Sequence, residues 1–94
     1  MIRSFKDKEA ENPIARQRSR WLPPDILRTA LKKLMRLQAA TSLGDLRIFP
    51  GDRLEALKGN REGAHSLRIN DQWRICFIWG PDNNAYDVEI CDYH

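Results

Sequence analysis

The sequence predicts an α+β domain: a small, mainly antiparallel sheet with N-terminal helices packed on one face. Three observations carry this reading. Apolar residues recur at helical spacing through residues 25–40. The period then changes to strict alternation in the second half, as strands require. The alternating runs are joined by links short enough for hairpins, and helices followed by strands point to helices gathered on one side of a sheet. With 94 residues, one domain spanning 1–94 is expected, since a chain this short buries only roughly 60–65% of its unfolded surface and supports one modest core.

Each element has a local reason. Ile2–Phe5 reads as a short opening strand. Asp7–Ala15 is polar and reads as a weak helix interrupted by Pro13. Ala15-Arg16-Gln17-Arg18-Ser19-Arg20 reads as a basic connector. Trp21 and Leu22 lead into Pro23-Pro24, a helix start. From Asp25 to about Ala40, Ile26, Leu27, Ala30, Leu31, Leu34 and Met35 form one apolar face. Asp25 stands at the positive end of that helix dipole. Arg28, Lys32 and Arg36, with Lys33 nearby, form another face, read as solvated. Thr41–Gly51 reads as an irregular connection broken by Gly44, Pro50 and Gly51.

Leu54, Ala56 and Leu57 lie in a short extended stretch, and Gly59-Asn60-Arg61-Glu62-Gly63 is a turn. In the next strand His65, Leu67 and Ile69 alternate with Ser66, Arg68 and Asn70. In the one after, Trp73, Ile75, Phe77 and Trp79 alternate with Arg74, Cys76 and Ile78. Asn70-Asp71-Gln72 makes these two a hairpin. Gly80–Asn84 is a second turn, and Ala85–Cys91 is the last strand, with Tyr86, Val88 and Ile90 inward. Arg68 and Arg74 then project together from the sheet's other face.

Charge is unevenly distributed. All 16 Lys and Arg fall between Arg3 and Arg74, against nine acids there, so that stretch carries 16 − 9 = +7. The last twenty residues carry Asp82, Asp87, Glu89 and Asp92 and no Lys or Arg. This polarity suits a polyanion or an acidic partner. The opening residues become charged at once, and no apolar run approaches the ~20 residues that span a bilayer, so a cytoplasmic location without membrane contact is expected. Cys76 and Cys91 are far apart in sequence, with no CxxC and no His or Cys at metal-ligand spacing. They read as free thiols within strands, and neither a metal nor a cofactor is expected.

Several stretches resemble one known family. Arg53-Leu54-Glu55-Ala56-Leu57-Lys58-Gly59-Asn60-Arg61-Glu62-Gly63 looks like its lysine-containing glycine turn. His65-Ser66-Leu67-Arg68-Ile69-Asn70-Asp71-Gln72-Trp73-Arg74-Ile75-Cys76-Phe77 is similar to its strand pair, and Asp92-Tyr93-His94 matches its ending. The opening Met1-Ile2-Arg3-Ser4-Phe5 also fits. The family is the HigB branch of the RelE/ParE toxins of bacterial toxin–antitoxin pairs. The resemblance implies a small sheet flanked by N-terminal helices and a neutralising antitoxin with a helix-turn-helix fold. It also implies endonuclease action on messenger RNA at the ribosome, with operator DNA met only through the antitoxin complex. Glu55 departs from the pattern, because some members carry a histidine three residues before the lysine.

Metal-free RNA cleavage needs a base for the 2′-hydroxyl, an acid for the departing 5′-oxygen and cations for the phosphate. By the resemblance, His94 is the acid or base. Asp92 orients it, acts as base or holds a cation, and Tyr93 stacks on a base or donates a hydrogen bond. Alternation gives Asp92 and His94 the same parity as the expected core residues, so a bulge near the strand end, or a different parity, is needed to bring them to the other face. Arg74, inside an apolar strand, is either a phosphate ligand or half of an ion pair with Asp87 or Glu89. Lys58 and Arg61 flank the glycine turn and are assigned to phosphate contact. Arg53 and Arg68 are read as RNA-backbone contacts. His65 is read as a structural histidine, and Trp21, Trp73 and Trp79 as core or interface aromatics. Two other function classes stay open: a gyrase inhibitor of the ParE type, and a basic RNA-binding module without chemistry.

Overall fold

The computed structural model describes residues 1–6, 23–57 and 63–92. The expected helix over Asp7–Ala15, the connector Ala15–Arg20, Trp21, most of the Gly59–Gly63 turn, Tyr93 and His94 lie outside these residues.

Helix α1 spans Pro24–Ala39, with proline at its start and Asp25 in the first turn. It buries Ile26, Ala30, Leu34 and Leu37, each contributing about 1.5–3 kcal/mol where the side chain is large. The expected face is thus partly corrected. Met35 is 57% exposed and Leu37 fully buried. At 3.6 residues per turn Met35 stands about 180° from Ile26, on the side that the sheet does not reach. The connection that follows is more regular than expected. Ser42 caps a one-turn helix, α2 (Leu43–Leu46), its hydroxyl accepting the Asp45 N–H at 3.3 Å. A 3₁₀ turn follows at Pro50–Asp52.

The sheet holds β1 (Glu55–Ala56), β2 (Ala64–Arg68), β3 (Trp73–Trp79) and β4 (Ala85–Asp92), in that order and antiparallel throughout. The opening segment lies along β4 in parallel, with bridges Ile2↔Ala85 and Phe5↔Val88. Arg3 N–H donates to the Ala85 carbonyl at 2.8 Å, and Lys6 N–H to that of Val88 at 2.9 Å. It thereby covers an edge that would otherwise present unpaired backbone.

One face of the sheet packs on α1. Leu67, Ile69, Trp73, Ile75, Phe77, Ala85, Val88 and Ile90 meet the helix residues in a single core, with Leu46 and Ala40 joining from the connection. Tyr86 is not among them, which corrects the expected inward set. The cause is a bulge. Cys76 pairs with Glu89 but Ile78 with Tyr86, so Phe77 opposes both Asp87 and Val88, and Asp87 takes φ 51°. The extra residue turns Tyr86 outward and Ala85 inward. Tyr86 then packs on Gly80, where an added Cβ would stand 2.8 Å from its ring, and its hydroxyl donates to Asp82 at 2.5 Å.

Candidate functional site

Arg68 and Arg74 are direct Cα partners across β2 and β3, and partners in an antiparallel pair share a face. Their chain neighbours Leu67, Ile69, Trp73 and Ile75 are all core, so both arginines occupy the opposite face. Like charges directly across a sheet repel. Surface acids offset this: Asp71 pairs with Arg68 from the hairpin turn, and Glu55 meets Arg74 at 3.6 Å. Asp71 is 98% exposed and Glu55 51%, so these are solvated, weak pairs. Anionic oxygens can compete with such exposed carboxylates for a guanidinium group.

The row beside the arginines runs Glu55, Ser66, Cys76 and Glu89 by register. The buried Ser66 hydroxyl accepts from Arg74 Nη1 at 3.4 Å, which steadies that guanidinium. Cys91, the Cα partner of Arg74, donates its thiol to Glu89 at 3.1 Å. The hydrogen bond with the Cys76 thiol, burial, and the Glu89 carboxylate hold the Cys91 thiol well above the usual thiol range. It therefore stays protonated at neutral pH and is no nucleophile.

Behind this face the helix contributes charge of its own. Lys33 Nζ donates to the Arg68 carbonyl and pairs with Asp52 at 3.2 Å. Arg36 Nη1 lies 2.9 Å from each Asp52 oxygen, and its guanidinium carbon stands 3.9 Å from the Phe49 ring centroid. Lys33 and Arg36 are thus engaged inside the protein, which corrects the solvated face expected for them; Arg28 and Lys32 are exposed.

Of the residues singled out in the sequence, Arg68 and Arg74 come together. Arg53 is exposed and follows the 3₁₀ turn with φ 45°. Lys58, Arg61, Tyr93 and His94 lie outside the described residues. The backbone of Asp92 pairs with Trp73. The bulge lies upstream, at Asp87, so position 92 keeps the parity of Val88 and Ile90. His65 sits on the core side of the sheet, stacked on Phe77 at 5.9 Å, and its buried Nδ1 has no partner among the described residues. The residues missed were Ser66, and Glu55 as the partner of Arg74. Their only sequence signal was strand parity, which is shared with ordinary surface positions.

The four-stranded antiparallel sheet backed by α1 has the fold of RelE-like toxins. The YoeB-YefM complex from Staphylococcus aureus superposes with TM-score 0.62 at 21% identity, covering 100% of this chain and 98% of that one. The YoeB dimer from the same organism gives 0.61 at 19%, covering 99% and 97%. The family model described as "RelE-like toxin of type II toxin-antitoxin system HigB" matches residues 3–94. Toxin HigB-1 of Vibrio cholerae serotype O1 is 42% identical over 92% of this chain and 94% of its own length. Endoribonuclease HigB of Proteus vulgaris is 31% identical over the full length of both. The chain belongs to the HigB-like toxins of type II toxin–antitoxin systems.

Proposed function

We propose that this toxin is a cytoplasmic endoribonuclease that cuts messenger RNA on the ribosome, and that a helix-turn-helix antitoxin neutralises it. The observation that carries the reading is the Arg68–Arg74 pair: two cations placed on one face as direct partners by backbone register, Arg68 meeting the exposed Asp71 and Arg74 meeting Glu55. The Proteus vulgaris relative's name supports the activity, and the YoeB-YefM complex supports an antitoxin.

In this reading the scissile phosphate sits between the two guanidinium groups, which neutralise charge building on its oxygens. The 2′-hydroxyl oxygen bonds to phosphorus while the bond to the 5′-oxygen breaks. A carboxylate takes the hydroxyl proton: Glu55 stands beside Arg74 on that face, whereas Asp92 ends β4 with the parity of the core side and takes this role only if the strand end turns to the other face. His94, two positions beyond Asp92 in the sequence, protonates the leaving oxygen. Tyr93 stacks on a neighbouring base. Lys58, Arg61 and Arg53 add contacts to phosphate, and the chemistry uses these side chains without a metal. Operator DNA is met only through the antitoxin complex.

The test is cell-free translation with primer extension along the message. Cuts that require both the protein and an engaged ribosome are expected. Supercoiling inhibition of gyrase without any cut, or RNA binding without any cut, would replace this reading by the corresponding alternative.

A further inference from the structure

Lys33 and Asp52 are charged side chains taken almost fully out of water, at 8% and 1% exposure. One carboxylate serves two cations: Lys33 at 3.2 Å and Arg36 at 2.9 Å. Such clusters are a poor source of stability, because desolvating the ions offsets their attraction. Apolar replacements of similar volume are often neutral or stabilising. Hydrogen bonds do supply fixed direction and distance, which apolar contacts do not.

What the cluster ties down is specific. Arg36 and Lys33 belong to α1. Asp52 closes the turn that leads, three residues on, into Glu55. The Lys33 ammonium also donates to the carbonyl of Arg68, the last residue of β2. β1 pairs with His65 and Ser66, so among the described residues no strand neighbour on that side reaches Arg68. Lys33 supplies a donor where the ladder has run out.

We propose that Lys33 is a positioning residue for Arg68, anchored by Asp52 and Arg36. It acts through the Arg68 backbone, which sets where that guanidinium stands relative to Arg74. The proposal rests on the reading that Arg68 contacts RNA phosphate.

The test is a double-mutant cycle on binding. The probe is a fluorescent single-stranded RNA with 2′-O-methyl riboses, which cannot be cut. Its Kd is measured across a salt series for wild type, Lys33→Met, Arg68→Ala and the double variant. Lys33→Met leaves the Arg36–Asp52 pair in place. The expected result is that Lys33→Met lowers the log–log salt slope by roughly 0.7, as Arg68→Ala does. The double variant then loses no more than Arg68→Ala alone. A folded Lys33→Met with wild-type Kd and slope, or effects that simply add, would overturn the proposal. If Lys33→Met does not fold, the variant carrying Lys33→Met, Arg36→Met and Asp52→Leu, with no unpaired buried charge, is judged by the same criteria. Wild type that binds the probe but cuts no message sinks the nuclease reading and leaves this one standing. Wild type that does not bind the probe overturns both.

Discussion

Arg68 and Arg74 face one another across β2 and β3 as direct Cα partners on the same side of the sheet. Like charges directly opposite on a sheet repel, and each arginine meets an acid, Arg68 with Asp71 and Arg74 with Glu55. Arg68→Ala is therefore expected to change the melting temperature little, since relief of repulsion opposes the loss of the pair with the exposed Asp71 and of the packing of the Arg68 stem. RNA binding should weaken, and its log–log salt slope should fall by roughly 0.7. Thermal melts and binding titrations on the same samples check both halves.

Glu55 separates two roles that Arg74 gives it. As counter-ion it competes with phosphate; as base it drives the chemistry. For a base, Glu55→Gln should slow message cleavage by about 10²–10⁴-fold while RNA binding stays equal or tightens. For a counter-ion alone, binding tightens and the cleavage rate holds. Single-turnover cleavage measured beside binding separates the two.

Asp92 is the last residue of β4, and His94 is two positions further along the sequence; side chains near a chain end carry little of a fold's stability. Removing either side chain should change stability by within ~1 kcal/mol. Cleavage should slow by about 10²–10⁴-fold, and the variants expressed without antitoxin should no longer stop growth. Variants that fold normally and remain fully toxic would take both residues out of the chemistry.

Most of the fold was legible because it follows from period. The helical repeat of Ile26, Ala30 and Leu34, and the alternation through Trp73, Ile75 and Phe77, survive in the structure with their burial as expected. The departures have physical causes that period does not encode. Leu37 and Met35 differ only in which side of α1 the sheet covers. Tyr86 was misplaced because one residue with positive φ, Asp87, shifts the parity of everything before it in β4. In the site, Arg68 and Arg74 were readable from parity. The pairing of Glu55 with Arg74 depends on β1 lying beside β2, a tertiary contact. Lys33 and Asp52 were unreadable for a stronger reason: charged residues are seldom buried, and only the three-dimensional meeting of both with Arg36 makes their burial tolerable.

Asp45 gives a pH signature separate from catalysis. Its carboxylate accepts the Thr41 N–H and the Thr41 hydroxyl at 2.8 Å each, and these bonds, backbone first, hold its pKa below the ordinary carboxylate value. A depressed acid stabilises the fold above its unfolded pKa, and that contribution is lost as pH falls through the folded value. Below pH about 4 wild type should therefore lose melting temperature faster than Asp45→Asn. Parallel curves for the two proteins down to pH 2 would show that the carboxylate contributes nothing there.

The most direct measurement is the cleavage rate of a ribosome-bound message by purified wild type and Arg74→Ala, each first shown to fold and to bind ribosomes. A phosphate held between the two arginines requires a loss of about 10²–10³-fold in the chemical step, the size seen when one transition-state donor is removed, with cuts unchanged in position. Folded Arg74→Ala that cuts at the wild-type rate would contradict the assignment of this face to the scissile phosphate.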